Sequence, residues 1–255
     1  MKNSDLAGLS EVPISQEIVR QLLSRIPQDL VLVGGQALAF WIDHYATDTT
    51  PPSGEDEAYV SRDADFLGTR KHVALLADII AGKSAYPSKR AITILCGQVF
   101  VIDKSAKTFM NIDVIHRIGN MNTDDVSRRA VSVSVRGNSF LVMHPLDVLV
   151  SRVENYRGIA DKRHTNGLRQ IQLSIEVANQ YLLKTIERDE NIAISAIEKI
   201  AEVARSPAGI KARKSGAEIY GAINPDMLAS TIKNENFISI RLPRLIEEIK
   251  KYQAV

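Results

Sequence analysis

A chain of 255 residues that is 45% hydrophobic and 24% charged carries enough apolar side chains for one large or two small cores, so disorder is not the default expectation. Its 32 Lys and Arg against 30 Asp and Glu leave a formal charge of +2, so composition calls for neither a nucleic-acid partner nor an acidic membrane surface. A single cysteine excludes an intrachain disulfide, no apolar run reaches the roughly 18–20 residues that span a bilayer, and the start MKNSDLAGLSEVP has no apolar signal core, so a cytoplasmic protein without membrane contact is expected.

Ile14, Ile18, Leu22, Leu23 and Ile26 recur at helical spacing and predict a leading helix over 14–26, ended by Pro27. An apolar strand at 30–33 follows, then Gly34 and Gly35, then a helix from Gln36 to Tyr45. Residues 47–60, TDTTPPSGEDEAYV, mix Thr, Pro, Ser, Gly and acids that build no core, and read as a surface loop. Beyond SRDADFLG at 61–68, TRKHVALLADIIAG predicts a helix over 70–81 closed by Gly82. Ile92, Ile94, Val99, Val101 and Ile102 predict a pair of strands around Gly97, with Cys96 as buried packing, and TFMNIDVIHRI alternates like a strand. VSVSVRGNSFLVM, 131–143, predicts a hairpin turning at Arg136-Gly137-Asn138. From Pro145 the apolar period becomes helical, with helices expected at 145–156, 166–186, 191–204, 225–234 and 242–252, and RSPAGIKARKSGAEIYGAINP reads as a connection. The expected fold class is α+β: residues 1–144 form a mixed sheet with covering helices, and 145–255 a helical domain.

The chemistry starts with Asp63 and Asp65. On a strand they point to one face, with Cα atoms roughly 7 Å apart at about 3.4 Å of rise per residue. Two like charges so placed repel each other, and Asp disfavours strands, so the pair suits a cation held between its carboxylates; alone, a D-x-D triplet also suits a solvated loop or a helix cap. Glycines at a strand-to-helix turn let backbone approach a phosphate, and the helix start offers free N–H groups. Asp113, in NIDVI, supplies a third acid. Three carboxylates on one sheet face would hold a hard cation, most simply Mg²⁺ with substrate phosphates, and a phosphate cradle beside such a cage implies phosphoryl-group chemistry.

LVGGQAL, SRDADF and NIDVI together resemble the signature of the nucleotidyltransferase superfamily related to DNA polymerase beta, and the Asp-x-Asp-Phe form followed by a helical half is most similar to AbiEii-type toxins of bacterial toxin–antitoxin systems. The resemblance implies a nucleotidyltransferase fold in the first 144 residues and NMP transfer from an NTP to a hydroxyl, with pyrophosphate released. It implies that Gly34, Gly35 and Gln36 hold the triphosphate, that Asp63 and Asp65 ligate Mg²⁺, and that Asp113 completes a second metal site and helps activate the hydroxyl. Arg152, Lys162 and Arg169 are expected contacts of the triphosphate or the acceptor, around a loop facing the cleft. The partners it implies are an NTP, an RNA or protein acceptor and a cognate antitoxin. The chain departs from the pattern at Gly35, where serine is common, at Arg152, which replaces a lysine, and at Thr165 and Asn166, where acids are usual.

Other readings share these residues. A small-molecule nucleotidyltransferase of the antibiotic-modifying kind would use the same carboxylates with another acceptor pocket. A nucleotide-binding module would keep the fold without turnover. A metal-dependent nuclease would use the acids but gives no role to Gly34 and Gly35. His116 is expected to be structural, and the basic run KARKSG at 211–216 reads as solvated charge or as a grip on RNA phosphates.

Overall fold

In the computed structural model, which describes residues 6–45, 63–135, 137–163 and 165–253, an α+β architecture is built around one mixed sheet. Its strands are β1 (Ser10–Glu11), β2 (Val31–Val33), β3 (Ala64–Leu67), β4 (Lys83–Ala85), β5 (Leu95–Asp103), β6 (Thr108–Ile115), β7 (Val131–Val135) and β8 (Asn138–Val142). Their order is β4-β5-β6-β3-β2-β8-β7, with β1 also on β6. Strands β2 and β8 run parallel, as do β3 and β6, while β5 runs antiparallel along β6 from Asp103↔Thr108 to Leu95↔Ile115. Since β5 occupies one edge of β6, β3 at Ile112–Ile115 and β1 at Thr108–Phe109 share the other.

Helices α1 (Gln16–Leu23), α2 (Gly34–His44), α3 (Arg70–Ile79) and α4 (Thr123–Arg129) accompany the sheet. Ser15 caps α1 by accepting from the Ile18 N–H, so the helix starts two residues later than its apolar period. Leu22, Leu30, Leu32, Phe66, Leu76, Ile112 and Phe140 are fully buried, filling the core that the alternating strands and helix stripes call for. The chain divides into two compact units, the first running to Phe40 and resuming up to His144, the second taking the end of α2 from Trp41 and everything from Pro145.

The second unit is helical: α5 (Pro145–Gly158), α6 (Thr165–Ile186), α7 (Glu190–Arg205), α8 (Pro207–Lys214), α9 (Pro225–Thr231) and α10 (Leu242–Gln253). Its core gathers Leu149, Ile171, Leu182, Ile197, Ile200 and Leu228. No described helix is long and apolar enough to cross a membrane.

Several expectations need correction. Gly97 is no turn: β5 runs through it with a bulge between Leu95 and Gly97, and Ile92 and Ile94 lie exposed ahead of the strand. A Cβ at Gly97 would sit 2.7 Å from the Ala85 carbonyl oxygen and 2.9 Å from Val73 Cγ2, so the glycine answers close packing by β4 and α3. Residues 207–214, read as connection, form α8, with Pro207 at its first position and the Ser206 hydroxyl accepting from the Gly209 N–H. Helix α4 was not anticipated, although Asn122 caps it and its acids and arginines follow the helix dipole. Cys96 is half-buried rather than interior, with Sγ 3.5 Å from the Gly68 carbonyl oxygen. The hairpin matches expectation, with Val135 opposite Asn138 and Gly137 at φ 83°. The 47–60 loop and Arg136 lie outside the described residues.

Candidate metal centre

Pairing of β3 with β6 builds the centre. In their parallel register Asp65 stands beside Asp113, and antiparallel pairing on either side adds Val33 of β2 and Gln98 of β5 to the same row. Residues in one row share a sheet face, and Asp63, two positions before Asp65, joins it through the period-two alternation of an extended chain. One carboxylate oxygen from each of Asp63, Asp65 and Asp113 lies within 4.8 Å of the other two, and all three residues are half-buried. Like charges so close destabilise a sheet unless a counter-charge meets them.

Strand β2 passes directly into α2 at Gly34, which has φ 68° and lies against Asp65. A Cβ there would fall 2.9 Å from both Cβ and Cγ of Asp65 and nearer still to Oδ2. Glycine thus serves twice, taking a left-handed backbone and leaving room for the carboxylate. The first turn of α2 carries no acidic residue, and its N–H groups give a partial positive charge beside the three acids. Gly35 and Gln36 are buried in that turn.

Two amides that sequence reasoning missed complete the arrangement. Gln98 Nε2 and Asn111 Nδ2 each donate to Asp113 Oδ1 at 2.9 Å. Burial pushes the Asp113 carboxyl above its usual range, these two hydrogen bonds pull it down, and the negative charge of Asp63 pushes it up again. The signal was present in NID, where Asn111 shares the face of Asp113, and in the lone polar side chain of CGQVFVI.

The three expected cations belong to the second unit. Arg152 is buried in α5 and donates through Nη1 to Gln170 Oε1 at 3.2 Å. Arg169 lies near Glu176 on α6; burial raises the Glu176 carboxyl and Arg169 lowers it. Lys162 is exposed in a short 3-10 turn, Ala160–Lys162. His116 is exposed, and its backbone N–H donates to the Ile94 carbonyl at 2.9 Å.

Three acid oxygens on adjacent strands, with glycine packed against one of them, are the donor chemistry of a hard divalent cation such as Mg²⁺. No family model matches the chain, and neither does any curated protein. Among solved structures, an antigenic nucleotidyltransferase-like protein from Paracoccidioides brasiliensis is similar at a TM-score of 0.40 and 12% identity, covering 72% of this chain and 95% of that one.

Proposed function

We propose that the chain is a Mg²⁺-dependent nucleotidyltransferase that moves an NMP from an NTP to a hydroxyl on RNA or protein and acts as the toxin of a toxin–antitoxin pair in the cytoplasm. The observation that carries this reading is the convergence of Asp63, Asp65 and Asp113 beside Gly34 at the start of α2. A bound cation, or two sharing Asp63, Asp65 and Asp113, would neutralise phosphate charge and polarise the phosphorus for attack. Gly34, Gly35 and Gln36 would meet the triphosphate at the positive end of α2, while Arg152, Lys162 and Arg169 would contact triphosphate or acceptor.

The acceptor oxygen forms a bond to the α-phosphorus, the bond from that phosphorus to the bridging oxygen breaks, and pyrophosphate leaves with the electron pair. The hydroxyl, its acidity raised by the cation that Asp113 would help to hold, gives its proton to water.

Incubation with each α-labelled NTP, Mg²⁺ and total lysate tests the reading. Label should appear in RNA or protein and vanish in Asp63→Ala and Asp65→Ala. Transfer undiminished in either variant refutes it, label in a small molecule favours the antibiotic-modifying alternative, and RNA cleavage without pyrophosphate favours a nuclease.

A further inference from the structure

Asp113 receives two hydrogen bonds on one oxygen. Gln98 faces it across the β5–β6 ladder, Asn111 precedes it by two residues on β6, and both amides donate to Oδ1 at 2.9 Å. Two donors from different directions on a single oxygen fix the rotation of the carboxylate about its Cβ–Cγ bond and keep Oδ1 engaged, so Oδ2 is the oxygen presented to a cation.

Asn111 is hard to explain by stability alone. It is only 7% exposed, and its own Oδ1 is buried with no hydrogen-bond partner among the described residues. An orphaned buried acceptor disfavours folding, and an apolar side chain of similar size would avoid it. The position therefore makes sense through its N–H groups, which are directed at Asp113. Gln98 is likewise a polar side chain between the buried Gly97 and Val99.

We infer that Gln98 and Asn111 are positioning residues that hold the Asp113 carboxylate in the rotamer needed to ligate a divalent cation through Oδ2. This rests on the metal-centre reading above. Neither amide touches substrate or metal in this role. Each acts through Asp113, as outer partners of metal ligands do when they set ligand orientation.

The test uses the full chain with Mn²⁺ as probe, free Mn²⁺ being read by electron paramagnetic resonance. Gln98→Met and Asn111→Leu each remove one donor without adding charge, and each is expected to weaken Mn²⁺ binding about 10-fold or more. The Tm without metal should stay within a few degrees of the unaltered chain, or rise in Asn111→Leu as the orphaned acceptor disappears. In the transfer assay the half-saturating Mg²⁺ concentration should rise by a similar factor, while turnover at saturating Mg²⁺ recovers most of its value. A merely structural role would lower Tm and leave the metal requirement unchanged.

Mn²⁺ affinity unchanged in Gln98→Met would overturn the role of Gln98, and the same result in folded Asn111→Leu would overturn that of Asn111. Should Asn111→Leu not fold, Asn111→Ser, which shortens the side chain beyond reach of Asp113, carries the same readout. Asp63→Asn and Asp65→Asn separate this inference from its premise. If they abolish Mn²⁺ binding and the amide variants do not weaken it, the positioning role alone is wrong; if the unaltered chain binds no Mn²⁺, the metal reading falls and takes the inference with it.

Discussion

Gly34→Ala tests the contact between the β2–α2 turn and the acid centre. Two costs add there. A non-glycine residue at φ 68° costs about 1–2 kcal/mol for its left-handed backbone. The new methyl would lie 2.9 Å from Cβ and Cγ of Asp65, so Asp65 must withdraw by roughly 0.5 Å or more to reach ordinary contact, and its carboxylate must turn with it. Crowding of this kind adds about 1–3 kcal/mol. Gly137→Ala supplies the control, because Gly137 also has positive φ, at 83°, yet a Cβ there would meet nothing within 4 Å. Urea unfolding should show a loss of about 1–2 kcal/mol in Gly137→Ala and about 2–5 kcal/mol in Gly34→Ala. Mn²⁺ affinity should fall only in Gly34→Ala, since only there is a ligand displaced. Equal losses in the two variants, with Mn²⁺ affinity untouched in both, would refute the reasoning.

Two further outcomes concern the acid centre, and a third concerns His44. Mg²⁺ at about 100 times its Kd should stabilise the unaltered chain by roughly 2.7 kcal/mol, a Tm rise of roughly 5–10 °C by thermal scan that Asp65→Asn should lack; an equal rise in the variant counts against the centre. Burial raises the folded Asp113 carboxyl above the unfolded value of 3.8, so through the window just above 3.8 the folded chain keeps a proton that the unfolded chain has lost. Ionising Asp113 then costs stability as pH rises through that window, and within it a bound cation must displace the proton. The stability difference between the unaltered chain and Asp113→Asn should therefore shrink with rising pH, and calorimetry should detect proton release when Mg²⁺ binds; a flat difference and no release would contradict this. His44 shifts the other way, its pKa lowered from 6.5 by burial and by the positive charges of Lys184 and Arg188, against an opposing effect of Asp43. Its contribution is present above 6.5 and is lost as pH falls below that value, so His44→Gln should flatten the slope of urea stability against pH there.

How much the sequence disclosed depended on range. Apolar period and glycine placement located β2, α2 and β3, because those signals are local and strong. Asp63 and Asp65 could be set on one face from spacing alone, but their meeting with Asp113 depends on β3 lying parallel to β6, a pairing between segments nearly fifty residues apart. Gly97 misled because glycine punctuates turns and also admits close neighbours, and only the packed Ala85 and Val73 decide between these. Helix α8 was legible in Ser206-Pro207, a cap followed by a proline suited to the first turn, yet the nearby glycines and lysines masked it. Gln98 and Asn111 escaped because amides have no charge or motif to mark them, and their use became visible only when both pointed at one oxygen.

The smallest strand has a consequence of its own. Ser10 N–H donates to the Lys107 carbonyl and Val12 N–H to the Phe109 carbonyl, so β1 occupies the stretch of β6 that β3 leaves uncovered. Without it, the free carbonyls at the start of β6 would form an open ledge able to recruit a strand from another molecule. Removal of residues 1–12 should therefore first be felt as self-association at high concentration rather than as loss of the acid centre, which lies further along the same strand.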